Sequence, residues 1–156
     1  MKQIGLKLLH LKSFGIQCPS DQFSDVFHTI NNHFKHMKRL EIVAHLPHEF
    51  EFSTQSLSRC HKLTHIILDL GYYEFEICNQ FMEEISKYCV KLRELSVRPI
   101  VVTDGVLNAL SMLTQLETIK LIGNTEHTYT QTSIDTLIQK CFKIKSIELK
   151  YNTINL

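Results

Sequence analysis

A spaced apolar triplet, at positions 1, 4 and 6 of a short run, recurs six times along this chain: Leu6/Leu9/Leu11, Met37/Leu40/Ile42, Leu63/Ile66/Leu68, Leu92/Leu95/Val97, Leu116/Ile119/Leu121 and Ile144/Ile147/Leu149. Its starts are separated by 31, 26, 29, 24 and 28 residues. A period of this size belongs to chains whose units cannot bury their apolar side alone and do so by stacking on their neighbours. Within each triplet the step of two from position 4 to position 6 puts both side chains on one face of a short strand. The residue between them points the other way.

The stretches between triplets read as the return path. Phe23, Val26, Phe27, Ile30 and Phe34 fall at helical spacings of three and four. Phe81, Ile85 and Cys89 form a second stripe, Val106, Leu107, Leu110 and Leu113 a third, and Ile134, Leu137, Ile138 and Cys141 a fourth. Ser20, Thr103 and either Thr132 or Ser133 are the expected N-caps, because a hydroxyl there takes up an orphan backbone N–H. Ser53–Cys60 is a weaker segment of about two turns, and Pro47 with the HEFEF that follows makes its connection the least regular. Position 11 after the strand is apolar as Ile16, Tyr73, Val102 and Ile154. Position 9, where an Asn side chain can satisfy turn backbone, is Asn only at Asn124 and Asn152. The LxxLxL core with this period predicts an α/β fold: a leucine-rich-repeat solenoid arc of about six strand–helix units, with a parallel concave sheet and outer helices. One domain spanning 1–156 is expected, as a fragment or an uncapped array, since the first and last triplets stand close to the chain ends.

Cys60, Cys89 and Cys141 each fall three residues before a triplet, in CHKLTHIIL, CVKLRELSV and CFKIKSIEL. Phe34 and Leu113 hold the same place in two other units, so a compact buried side chain at the corner between helix and strand is the expected role. With VTDGVLNAL (Val102 to Leu110), these cysteine-bearing units resemble the leucine-rich repeats of F-box/LRR proteins, over most of the chain and best over Ile77 to Leu156. That resemblance implies substrate-recognition repeats of a ubiquitin-ligase receptor, with a Skp-type adaptor bound by an F-box upstream. LPHEF at Leu46 echoes an F-box opening but sits inside the array, and no F-box is read in this sequence. The alternative reading is a stand-alone scaffold, inhibitor or assembly factor, similar to ribonuclease inhibitor or to ATP synthase factor B.

Composition narrows the partners. Seventeen basic and 16 acidic residues leave a formal charge of +1, so no overall field draws the chain to nucleic acid or to an anionic membrane. The five cysteines are odd in number and form no CxxC pair, which predicts reduced thiols in a cytoplasmic or nuclear protein. Mitochondrial import stays open, because the first 18 residues carry Lys and no acid. The pairs His33/His36, His45/His48 and His61/His65 have metal-like spacing, yet a tetrahedral site would need convergence across turns, and surface histidines are expected instead. No nucleophile elbow, triad order or Gly-rich cradle is present, so neither catalysis nor a cofactor is expected.

Stacked strands place the same position of successive units side by side, which makes the concave face the expected surface for a protein or peptide ligand. Position 3 reads Leu8, Arg39, His65, Glu94, Thr118, Ser146. Position 5 reads His10, Glu41, Ile67, Ser96, Lys120, Glu148, and position 7 reads Lys12, Val43, Asp69, Arg98, Ile122, Lys150. Arg39, Glu41, His65, Ile67, Asp69, Glu94, Arg98 and Lys120 are the predicted partner-binding residues, a mixture of both charge signs suited to a ligand of matched charge. Tyr72 and Tyr73 in GYYEFEI offer a competing aromatic patch, Tyr73 being expected to pack and Tyr72 to remain exposed.

Overall fold

The computed structural model describes residues 13–18, 35–44, 57–69, 79–123 and 128–151. Six strands form one parallel sheet in chain order: β1 (Ser13–Cys18), β2 (Arg39–Ala44), β3 (His65–Asp69), β4 (Glu94–Arg98), β5 (Thr118–Gly123) and β6 (Ser146–Tyr151). Among the described residues three helices lie between the last four strands: α1 (Asn79–Tyr88), α2 (Asp104–Leu110) and α3 (Gln131–Lys140). The chain is thus α/β. The helical stripe Phe23–Phe34, the Ser20 cap, Tyr72 and Tyr73 lie outside the described residues, as does most of the segment from Ser53. Its end, Leu57 to Arg59, is a turn.

The triplets account for the sheet because strand register aligns them. Leu40, Ile66, Leu95, Ile119 and Ile147 pair in sequence across β2 to β6, and so do Ile42, Leu68, Val97, Leu121 and Leu149. Through β5 these side chains are fully buried, while the residues between them are only partly covered. Each buried Leu or Ile contributes about 1.5–3 kcal/mol, and one continuous cluster joins them to Phe81, Met82 and Ile85 of α1, Val106, Leu107 and Leu110 of α2, and Leu137 of α3. Ile147 and Leu149 of β6 pack against that cluster but are only partly buried.

The first unit is a correction. The strand lies at Ser13–Cys18, with Phe14 opposite Leu40 and Ile16 opposite Ile42. Phe14 and Ile16 therefore occupy triplet positions 4 and 6, which counts position 1 back to residue 11, itself outside the described residues, and makes the first spacing 26 residues instead of 31. Leu6, Leu9, Leu8, His10 and Lys12 lie outside the described residues. Facing Arg39, Glu41 and Val43 are Ser13, Gly15 and Gln17.

The corner before each strand repeats in hydrogen-bond detail. Leu63, Leu92, Leu116 and Ile144 donate their N–H to the carbonyls of Cys60, Cys89, Leu113 and Cys141, at 2.9–3.0 Å. All four of those corner side chains are buried. The Cys141 thiol also lies 3.4 Å from Leu113 O and 3.6 Å from Leu110 O, carbonyls of the preceding unit that already accept from Leu116 N and Leu113 N. A small polarisable side chain fits a corner where backbone comes this close.

Thr103 caps α2 as its sequence predicts, its hydroxyl accepting from Val106 N at 3.2 Å. The cap of α3 differs: it is Thr130, while Thr132 and Ser133 sit inside the first turn. Thr130 makes no side-chain bond to its own helix. Its N–H and hydroxyl instead donate to Asp104 Oδ1 at 2.7 and 3.0 Å, tying the start of α3 to the start of α2. Thr103 and Thr128 bridge in parallel alongside. Ile138, included in the α3 stripe, is half-exposed, because only Leu137 among the helix's large side chains is fully turned to the cluster.

Candidate protein-binding face

The described helices pack on the face carrying positions 4 and 6, and the opposite face carries positions 3, 5 and 7. All eight predicted partner-binding residues stand on it. Register sets them in rows: Arg39, His65, Glu94, Thr118 and Ser146 in one, Glu41, Ile67, Ser96, Lys120 and Glu148 in the next, and Val43, Asp69 and Arg98 in the third.

The polar members of these rows engage one another. Arg98 donates from Nε to Asp69 Oδ1 at 2.9 Å and from Nη2 to Oδ2, a two-point fork between directly opposed residues. His65 Nε2 lies 3.6 Å from Glu94 Oε2, Arg39 Nη2 lies 3.3 Å from Glu41 Oε2, and Lys120 Nζ lies 3.4 Å from Glu148 Oε2. Lys150 is 2.7 Å from the other oxygen of Glu148. The Glu148 carboxyl is held below its ordinary range, first by the hydrogen bond from Lys150 and then by Lys120. Side chains in these pairs are about one third to two thirds exposed, so each pair is worth about 0–1 kcal/mol and a ligand can exchange it cheaply. Ile67 stands among them as a partly buried apolar residue.

His65 is oriented by its own strand entry. Thr64 Oγ1 lies 3.0 Å from Lys38 O and 2.8 Å from His65 Nδ1, which ties the ring to the end of the preceding unit's turn.

A second surface lies along the edge where the strands begin. The residues flanking triplet position 1 are His36 and Lys38, Lys62 and Thr64, Lys91 and Arg93, Gln115 and Glu117, and Lys143 and Lys145. Six are Lys or Arg and one is acidic, in a chain whose overall charge nearly cancels. The position-2 carbonyls of Lys38, Thr64, Arg93 and Glu117 each accept two N–H groups from the next unit, at 2.8–3.2 Å, which fixes the spacing of this edge. Glu117 lies 2.6 Å from Lys145 and 3.5 Å from Arg93. Its carboxyl is held low, first by the Lys145 hydrogen bond. Between the units runs a groove of about 690 Å³ lined by Lys38, Thr64, His65, Lys91, Arg93 and Gln115. Sequence reading missed this edge although the signal is plain: K-L-R and K-I-K place cations on both sides of a core-facing residue.

Three of the metal-spaced histidines, His36, His61 and His65, are among the described residues. His33, His45 and His48 lie outside the described residues, His36 Nδ1 is 2.8 Å from Lys62 Nζ, and His65 is engaged as above. Among the described residues no three His, Cys, Asp or Glu side chains gather in a metal-holding group, and no helix is long and apolar enough to cross a membrane. No protein-family model and no curated protein matches the chain.

Proposed function

We propose that this chain is a non-catalytic protein-binding module, a leucine-rich-repeat arc whose open sheet face receives a protein or peptide ligand. The observation that carries the reading is the in-register array of positions 3 and 5 from β2 to β6. It gives a continuous strip of exchangeable ion pairs around Ile67, on a face that no described helix covers. Such a strip offers a ligand alternating charge for register and an apolar centre for affinity.

The cysteine-bearing corners support a narrower reading as substrate-recognition repeats of an F-box/LRR-type ubiquitin-ligase receptor in the cytoplasm or nucleus. In that case a Skp-type adaptor binds an F-box outside these repeats.

The test is affinity purification of the tagged chain from its native cell, comparing the wild-type chain with Ile67→Asp/Lys120→Glu. A partner captured by the wild type and lost from the folded variant supports binding on this face. An unchanged set of partners removes it. Absence of a Skp-type adaptor and cullin from a full-length parent's complexes counts against the ligase reading alone.

A further inference from the structure

We propose that the groove at the strand-entry edge, lined by Lys38, Lys91 and Arg93, is a docking site for an acidic segment of a partner protein. This rests on the binding-module reading and adds a second contact surface to it.

Three observations converge. First, the edge segregates charge: six of the ten residues flanking position 1 in the last five units are Lys or Arg and one is acidic, although the whole chain carries only +1. Among the described residues the Lys38 and Lys91 ammonium groups have no acidic partner, and both side chains are exposed. Arg93 shares Glu117 with Lys145 at 3.5 Å, which leaves most of its donor fork available. Second, these cations line a concavity of about 690 Å³, within the range of pockets that hold a ligand. Thr64 and Gln115 add neutral hydrogen-bonding groups to its wall. Third, the same edge carries exposed apolar side chains beside its cations: Val90 next to Lys91, and Phe142, 74% exposed, with Lys143 Nζ 5.9 Å from its ring centre. A peptide bearing carboxylates with apolar residues between them satisfies both features. Nucleic acid fits less well, because a formal charge of +1 gives the chain no overall field to draw a polyanion and no Phe, Tyr or Trp lines the groove.

The groove adjoins the open face through His65, which lines one and belongs to a row of the other. An extended ligand lying along the open face can therefore continue into the groove with an acidic end.

The test is fluorescence anisotropy with the complete chain and a labelled Glu/Leu decapeptide, with a Gln/Leu peptide of the same length as the uncharged control. Binding of the Glu peptide, weakened on the order of tenfold by Lys38→Glu/Lys91→Glu, is expected. The pair Lys87→Glu/Lys140→Glu makes the same change in net charge on the helices and should leave that affinity within about twofold. Circular dichroism establishes that both variants fold, and Lys38→Gln/Lys91→Gln repeats the loss without introducing negative charge.

Equal weakening by the helix pair would reduce the effect to overall charge and overturn the proposal. So would equal affinity for the Gln peptide, no binding of either peptide, or a single-stranded oligonucleotide that displaces the Glu peptide and binds more tightly. None of these results touches the Ile67→Asp/Lys120→Glu comparison, so failure of the groove and failure of the open face are separately visible.

Discussion

Arg98 on β4 and Asp69 on β3 are directly opposed in the sheet and meet through both carboxylate oxygens. Their half-exposed fork closes one row of the open face, and both residues make further contacts, so truncating either removes more than the pair. A double-mutant cycle with Asp69→Ala, Arg98→Ala and the double variant isolates it, with an expected coupling of about 1 kcal/mol in urea denaturation. Raising the salt concentration should shrink that coupling. A coupling indistinguishable from zero at low salt would mean that the fork is not formed in solution.

The three corner thiols are expected to resist alkylation until the chain unfolds. Burial pushes the Cys60 thiol up to about 12, pushes Cys89 up further with help from Cys60 and Glu84, and raises Cys141 against a small opposing effect of Lys140. In the unfolded chain these thiols ionise near their ordinary value of about 8.5. A raised folded value contributes stability that is fully present below that pH and lost as pH rises toward and through the folded value. Stability should therefore fall between pH 8 and pH 10, and Cys89→Ala should be less stable at pH 7 but show a shallower fall. Site-resolved iodoacetamide labelling checks the protection. Fast modification of Cys89 in the folded chain would contradict a buried corner.

Five of the six strands were legible because their signal is local and repeated: two buried residues at a spacing of two, preceded by a third at a spacing of three. The first was misplaced by five residues because LKLLHL, Leu6 to Leu11, offers a set of leucines at the same 1-4-6 spacing. Only pairing with β2 decides between the two sets, and register is not encoded within one strand. The open face could be read for the same reason as the core, since alternation assigns both. Which charges meet could not, because Arg98 finds Asp69 across 29 residues of sequence. The α3 cap was misread for a related reason: Thr130 is held by Asp104 of the previous unit rather than by its own helix.

Gly15 tests the corrected register. It is exposed, lies opposite Glu41, and an added Cβ would approach Glu41 Cβ at 4.0 Å, an ordinary contact. Its backbone lies outside the left-handed region that favours glycine. Gly15→Ala should therefore stabilise the chain by about 0.4–1 kcal/mol, by restricting the unfolded state. Destabilisation by more than that would put position 15 on the covered face and shift the strand by one residue.

Asp104 links adjacent units in a way that pH can report. Its Oδ1 accepts from Thr130 N and Oγ1, and its carboxyl is held below the ordinary Asp value, chiefly by the backbone N–H of Thr130 and further by Ser133 and the Thr130 hydroxyl. It also occupies the first turn of α2, where negative charge is favoured. Both effects have the same sign. A depressed folded value contributes stability present above the ordinary carboxyl pKa of about 3.9 and lost as pH falls through the folded value. Asp104→Asn keeps an oxygen for Thr130 but no charge, so it should be less stable than the wild type at pH 7. The gap should narrow as the pH is taken below about 3, where the wild-type carboxyl also becomes neutral. Urea midpoints of the two proteins at several pH values measure this directly. A gap of constant size would mean that the carboxylate's charge adds nothing to the junction, leaving shape and neutral hydrogen bonding to hold α3 against α2.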